Sequence, residues 1–301
     1  MSAIRRVLVL GATGTVGSQV RSELRQRGVA VRAASRDPAT AQAQERSAGR
    51  RAVDWVLLDL ERPATFRAAL SGTDAVFMIA RPGDEEPERT AGPFIEAMRA
   101  AGIERVVDLS ALGAEKREDF GLRRVEVLLE ASGLGWTHLR PNWFMQVFST
   151  PPLLGAIRDA GELRLPTAAA RLSFVDARDI AAVAAVALGE AGHEGSAYTL
   201  TGGRALDHAE VADEISRAAG RRVSYRAIDD DSARAALAGF GLPPSRIDRL
   251  LAFYRLVRAG ACEPVSPAVP ALLGRPAIPF AAFARDHAGV WRPRAGEPVP
   301  V

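Results

Sequence analysis

Hydrophobic positions along the chain fall into two kinds of run that take turns. Arg6-Val7-Leu8-Val9-Leu10 is an unbroken β-branched and leucine segment that stops at Gly11, the pattern of a parallel strand buried on both faces. Beyond it Val16, Val20 and Leu24 recur at helical spacing, and Gly28 supplies a helix stop. The pairing repeats, with strand-like runs over residues 29–34, 55–60, 75–80 and 105–109. Helical stretches between them are marked by Pro63, Phe66 and Leu70, and then by Phe94, Ile95 and Met98 ahead of Gly102. Such alternation predicts the α/β class, with a doubly wound parallel sheet and right-handed crossovers.

The second half departs from this rhythm. A helix carried by Leu122, Val125, Leu128 and Leu129 and stopped by Gly133 leads to a strand over residues 136–139. Next comes the aromatic-rich segment Arg140-Pro141-Asn142-Trp143-Phe144-Met145-Gln146-Val147-Phe148, where the chain is expected to leave the sheet. It returns near Phe174-Val175-Asp176, runs through an alanine-rich helix from about Asp179, with both aspartates read as caps, and adds a last strand over 198–200. Asp207 with Glu210 three positions on is a capping box for a further helix, after which the sequence reads as helical, irregular and proline-rich.

Composition narrows the class of protein. At 301 residues and 48% hydrophobic content the chain can bury one large core or two fused lobes. The longest apolar run, 180–188, is far short of the roughly 18 to 20 residues that span a bilayer, and the opening Met1-Ser2-Ala3-Ile4-Arg5-Arg6 lacks a signal peptide's apolar centre, so a cytoplasmic protein without a membrane partner is expected. Cys262 is the only cysteine, which excludes an internal disulfide and is read as a small buried hydrophobe. The 39 cationic and 36 anionic side chains are interspersed and form no stripe for a nucleic-acid backbone. All but one of the basic residues are arginine, a bias that reduces what any single arginine signifies.

The turn Gly11-Ala12-Thr13-Gly14-Thr15-Val16-Gly17 stands between the first strand and the first helix. Glycine lets backbone bend tightly and come close to a diphosphate, while the helix that follows aims unpaired N–H groups and its dipole at the anion. The reading is a nucleotide-binding Rossmann domain over residues 1–150, continued by returning strands at about 170–204. A small, mainly helical substrate-binding lid lobe is expected over 205–290, and a tail over 291–301, with residues 293–301 expected to be disordered. The second strand ends Ala34-Ser35-Arg36, a hydroxyl and a guanidinium where NAD-preferring sites commonly carry a carboxylate, so NADP(H) is favoured over NAD(H). Asp37, one residue on, is the argument against. Asp59-Leu60 after the third strand and Ala80-Arg81 after the fourth complete the expected cofactor contacts, with Gly11, Thr13, Gly14, Thr15, Val16 and Gly17.

The spacing Gly-x-x-Gly-x-x-Gly resembles that of short-chain dehydrogenases. Members of that family donate a proton from a tyrosine supported by a lysine four positions on. The sole lysine here is Lys116, four after Leu112, and the three tyrosines, Tyr198, Tyr225 and Tyr254, all lie in the second half. That departure, together with Val106-Val107-Asp108-Leu109-Ser110-Ala111-Leu112-Gly113-Ala114-Glu115, Leu139-Arg140-Pro141-Asn142-Trp143-Phe144-Met145-Gln146 and Phe280-Ala281-Ala282-Phe283-Ala284-Arg285-Asp286-His287, resembles the NmrA-like atypical short-chain dehydrogenases and their bacterial branch near ergot-alkaloid reductases. The resemblance spans most of the chain. It implies NADPH-dependent reduction of quinones, imines or C=C bonds, or else nucleotide sensing without turnover.

Ligands of a doubly wound sheet bind at the carboxyl ends of its strands. Trp143, Phe144, Gln146 and Phe148, with Tyr254 from the lid, are therefore the expected substrate contacts, although Phe144 and Met145 also suit a core. Ser110, Arg123 and Asn142 are the catalytic candidates, and His138 is read as a buried structural histidine. No metal-ligand cluster and no Gly-x-Ser-x-Gly elbow is seen. The expected function is an NADPH-dependent oxidoreductase delivering hydride to a hydrophobic aromatic small molecule in secondary metabolism, acting as a monomer or homodimer. The alternatives are a non-catalytic NADP(H) sensor and a lyase, isomerase or epimerase on the same fold.

Overall fold

The computed structural model describes residues 4–49, 51–80, 84 and 86–292. Arg81 and the tail from 293 onward therefore lie outside the described residues. In chain order the elements are β1 (Arg6–Val9), α1 (Thr15–Gln26), β2 (Ala30–Ser35), α2 (Pro38–Ser47), β3 (Asp54–Leu57), α3 (Phe66–Leu70), β4 (Ala75–Met78), α4 (Pro87–Ala100), β5 (Arg105–Leu109), α5 (Gly121–Ala131) and β6 (Gly135–Pro141). After these come α6 (Leu153–Gly155), β7 (Glu162–Leu165), α7 (Ala177–Gly189), β8 (Ser196–Leu200), α8 (His208–Ala219), β9 (Ser224–Ala227), α9 (Asp230–Gly239), α10 (Pro244–Arg258), α11 (Ala268–Leu273) and α12 (Phe280–His287).

Seven strands form one sheet in the order β3-β2-β1-β4-β5-β6-β8. Every neighbouring pair is parallel. This is the doubly wound α/β architecture that the alternating pattern predicts. Burial explains the composition of the strands: all four residues of β4, Ala75 to Met78, are completely buried, because helices cover both faces. On one face Leu8, Val76 and Val106 pack with Phe94, Met98, Val125 and Leu129 of α4 and α5. On the other, α1 packs on α7, whose residues from Ile180 to Leu188 are all buried. Small alanines at most of those positions allow close helix packing.

The chain divides into two compact units. The first comprises residues 1–141, 177–200 and 271–274, and the second 142–176, 201–270 and 275–301. The break thus comes at Pro141 rather than at 150, and residues 142–176 belong with the second unit rather than with the sheet. That unit is less purely helical than expected, since β7 and β9 pair in a two-stranded parallel sheet. Neither strand has a strong alternating pattern, and each is only four residues long, which is why periodicity misses them. The capping box is present, with Glu210 N–H donating to Asp207 Oδ1 at 2.8 Å and Asp207 N–H to Glu210 Oε2 at 2.9 Å.

Candidate functional site

The first unit opens a cleft of about 580 Å³ at the carboxyl ends of β1, β2, β3 and β4. Gly11, Thr13, Ser35, Arg36, Asp59, Leu60 and Ala80 line it, and so do Asp37 and Ile79. Its floor is the glycine turn. Gly11 has φ +58°, and a Cβ there would come within 2.8 Å of Ile79 Cδ1. At Gly17 a Cβ would lie 2.3 Å from the Gly11 carbonyl oxygen, so the start of α1 can approach β1 this closely only with glycine. Gly14 N–H donates to Gly11 O at 2.8 Å, closing the turn. Gly14 is also the N-cap of α1, which has no side-chain cap and no acidic residue in its first turn. The N-terminal amides of this helix are therefore left for a ligand. Thr13, Gly14 and Thr15 are exposed at the turn, whereas Val16 is buried on the core side of α1 and supports the loop rather than lining the cleft.

At the end of β2 the two rival side chains have different fates. Asp37 caps α2, accepting from Thr40 N–H at 3.0 Å and from the Thr40 hydroxyl at 2.7 Å. Those bonds hold its carboxyl below the usual aspartate range. Arg36 is exposed and forms no ion pair among the described residues. The Ser35 hydroxyl accepts from Asp37 N–H at 3.0 Å, which leaves its own proton free to donate. Asp59 accepts from Glu61 N–H at 3.1 Å and turns the backbone at the cleft rim. A diphosphate at the glycine turn and a phosphorylated ribose beside Arg36 fit these donors.

The ends of β5 and β6 carry a different arrangement. Asp108 and Ser110 on one strand, and His138 and Arg140 on the next, share the α5 face, since Asp108 pairs with His138 in the parallel register. Glu126 of α5 is fully buried and grips Arg140 through two bonds, at 2.9 and 2.8 Å. Arg123 donates to Glu126 at 2.9 Å and to Glu130 at 2.6 Å. Burial pushes the Glu126 carboxyl up, but Arg140, Ser110 and Arg123 together pull it below the ordinary value. His138 is completely buried and stacks on Trp136 with ring centroids 4.4 Å apart. It lies 3.5 Å from both Asp108 and Glu130. Asp108 has both carboxylate oxygens without a hydrogen bond, and burial raises its pKa. Glu126, Glu130 and His138 come close enough to resemble a metal-ligand set, a cluster the sequence did not suggest. The guanidinium of Arg123 already supplies the cation between the two glutamates.

Two catalytic candidates therefore stand in this closed network: Ser110 is buried and its hydroxyl has no ordinary partner, while Arg123 is engaged by two glutamates. The third, Asn142, belongs to the second unit. Its amide donates to Ser173 Oγ and to Cys262 O, each at 2.8 Å, and its oxygen accepts from Trp143 N–H. Both amide protons are thereby engaged in holding three segments together.

The expected substrate contacts also separate. Phe148 has no exposure at all: its ring meets Phe174 and Phe280 edge-on, and its carbonyl accepts from the Trp291 indole at 2.7 Å. It is a core residue of the second unit, because a large aromatic on a short helical turn packs inward where three other rings are available. Phe144 is half-buried and bridges backbone to Val175. Gln146 donates to Asp176 Oδ1 at 3.0 Å. Trp143 is half-buried, with its ring 5.6 Å from that of Tyr254.

An NAD(P)H-binding family matches residues 11–191. The chain is similar to an NAD(P)H azoreductase of Xenophilus azovorans, 37% identical over 95% of this chain and 99% of the relative. It is also similar to a (4-alkanoyl-5-oxo-2,5-dihydrofuran-3-yl)methyl phosphate reductase of Streptomyces griseus, 36% identical over 95% and 99%. Among solved structures, the NADPH complex of the quinone oxidoreductase QOR2 from Escherichia coli aligns over 93% of this chain and 99% of that one, with a TM-score of 0.80 and 26% identity.

Proposed function

This chain belongs to the NAD(P)H-binding family, in its NmrA-like group of atypical short-chain dehydrogenases, and on that footing we propose that it is a reductase that prefers NADPH. The observation that carries the coenzyme preference is the contrast at the end of β2: Arg36 lines the cleft with no ion pair among the described residues, and Asp37 is engaged as a cap. A guanidinium pairs bidentately with a phosphate, and the Ser35 hydroxyl adds a donor. An aspartate already holding two Thr40 donors is a poor acceptor for a ribose hydroxyl.

When bound, the reduced coenzyme supplies the hydride. The protein's own part is positional: Gly11, Thr13 and Gly14 shape the turn for the diphosphate, and the α1 N-terminus stabilises its charge. The substrate is a hydrophobic aromatic compound, a quinone, azo compound, enone or imine. Its support in this chain is the half-buried indole of Trp143 and the apolar surroundings of Tyr254, and the relatives are named as reductases of such acceptors. The test is NADPH and NADH oxidation against a panel of these acceptors. Turnover with a lower KM for NADPH supports the reading, and Arg36→Ala is expected to raise the KM for NADPH about tenfold, roughly 1.4 kcal/mol, with little change for NADH.

A second reading, binding of NADP(H) without turnover, draws on the engagement of Arg123 by Glu126 and Glu130 and on the burial of Ser110. It is supported if the coenzyme binds tightly while no acceptor on the panel is reduced.

A further inference from the structure

The second unit encloses a cavity of its own, of about 360 Å³, and every residue that lines it belongs to that unit. It shares no residue with the cleft of the first unit, and neither Trp143 nor Tyr254 lines it. Stretches distant in sequence meet around it: Met145, Phe174, residues 202–204 with Leu206 after β8, Glu214 of α8, and residues 277–281 at the start of α12.

Its walls are held from behind. Phe174 and Phe280 are 1% and 4% exposed, and the Phe148 ring meets both edge-on, with centroids 5.3 and 5.5 Å away. The two lining rings stand 6.2 Å apart at 60° and form a corner of aromatic surface. Gly202 N–H donates to Ser173 O at 3.2 Å, and a Cβ on Gly202 would come within 2.2 Å of the Phe174 carbonyl oxygen. Only glycine therefore lets the chain after β8 lie against Phe174. Gly203 is the opposite case, since a Cβ there meets nothing within 4 Å. Leu206, Ile278 and the pliable Met145 complete an apolar wall that exists before any ligand arrives.

The charges at the edge do not cancel. Gly203, Arg204 and Pro279 are exposed and mark the mouth. Glu214, the acid of the lining, is neutralised by Arg217 at 2.7 Å. Arg204 makes only a long ion pair among the described residues, 3.8 Å to Glu210 Oε1. Glu210 does not depend on it, because its other oxygen lies 2.9 Å from Arg171 Nη2 and accepts from Asp207 N–H at 2.9 Å. A cation with no firm partner thus stands at the entrance of an aromatic-walled cavity.

We propose that this cavity is a second small-molecule site, one that takes a compact aromatic carboxylate. The one- or two-ring body lies against Phe174 and Phe280, and the carboxylate pairs with Arg204. Size sets the body: the volume is near the lower end of ligand pockets, roughly 300–1,000 Å³, which leaves no room for a dinucleotide. Charge sets the head: a guanidinium offers a carboxylate two parallel bonds, and Arg204 gives up little to form them. The assignment is independent of whether the coenzyme is turned over.

Calorimetry on the full-length protein without coenzyme tests it, with 2-naphthoate and the neutral 2-naphthalenemethanol as probes. The acid should bind saturably and about tenfold more tightly than the alcohol, and Arg204→Ala should remove that advantage while leaving the alcohol unchanged. Gly203→Leu and Ala281→Leu each place a larger side chain on the lining, and each should weaken both probes by about tenfold or more with the fold kept in thermal scans. Should one of these fillings unfold the protein, the other and Arg204→Ala still decide. Trp143→Phe, which alters an aromatic surface outside the cavity, should leave naphthoate affinity as it was. Naphthoate that fails to saturate at millimolar concentration, affinity indifferent to Arg204→Ala or to the fillings, or affinity lost in Trp143→Phe overturns the assignment.

Discussion

Two places on the carboxyl edge of the same sheet have opposite designs. After β1 and β2 the chain leaves groups open: α1 begins on a glycine with no side-chain cap, and Arg36 has no ion pair among the described residues. After β5 and β6 Glu126 is held by Arg140 and Arg123, and Arg123 is shared with Glu130, while Asp108 stays buried beside them without a hydrogen bond. The difference teaches that the sheet's carboxyl edge leaves open donors after β1 and β2, while after β5 and β6 its arginines are spent on glutamates of α5. An exposed guanidinium and uncapped helix amides remain available to a ligand, whereas guanidiniums paired with buried or half-buried glutamates are committed to the fold.

Glu126→Ala would break this comparison most violently. Removing a buried carboxylate leaves Arg140 without its partner, and a loss of about 3–5 kcal/mol is expected, measured by urea denaturation. Coenzyme affinity of the remaining folded protein should barely change. Next in size is Gly14→Asp. An aspartate at the N-cap can cap α1, offsetting the close approach of its Cβ to the Gly11 carbonyl oxygen at 3.2 Å, so Tm should change little, but its charge meets the diphosphate and NADPH affinity should fall about 100-fold, roughly 2.7 kcal/mol, by calorimetry. A fall in Tm with affinity intact would reverse the roles assigned to the loop.

The smallest effect is the most specific to the network. Burial raises the Asp108 pKa, so the folded protein binds this proton more tightly than the unfolded chain does. Stability from this group is therefore full below the unfolded value near 3.8 and is lost as pH rises toward the folded pKa. Glu126 has the opposite sign, since its carboxyl is held low and its contribution is lost as pH falls through its folded pKa. Asp108→Asn is accordingly expected to raise Tm more at pH 7 than at pH 4, checked by thermal scans at the two values. A uniform shift at both would mean that the carboxyl is ionised in place.

The sheet was legible in the sequence because its central strands β1 and β4 are apolar on both faces, and helical apolar spacing recurs between the strand-like runs. The glycine turn was legible for a related reason: its chemistry is backbone chemistry, and backbone needs are written directly in residue type. Side-chain fates were harder to read. That Asp37 caps α2 rests on Thr40, three residues away, and that signal was present in the spacing. The fate of Ser110 and Arg123 depends on Glu126 and Arg140, which only the pairing of β5 with β6 brings together. Phe148 looked like a pocket wall because aromatic residues suit both pockets and cores, and the rings that bury it come from residues 174 and 280. The pairing of β7 with β9 joins residues 162–165 to 224–227, beyond the reach of any local pattern. Tyr254 acquires meaning only beside Trp143, more than a hundred residues earlier in the chain.

The central claim is that the glycine turn and the end of β2 grip the coenzyme while the α5 network stays closed. Hydrogen–deuterium exchange with and without saturating NADPH measures this most directly. Peptides covering residues 11–18 and 34–38 should exchange at least tenfold more slowly with NADPH, and peptides covering residues 121–131 should be unchanged. Protection over 121–131 with none over 11–18 would contradict the account.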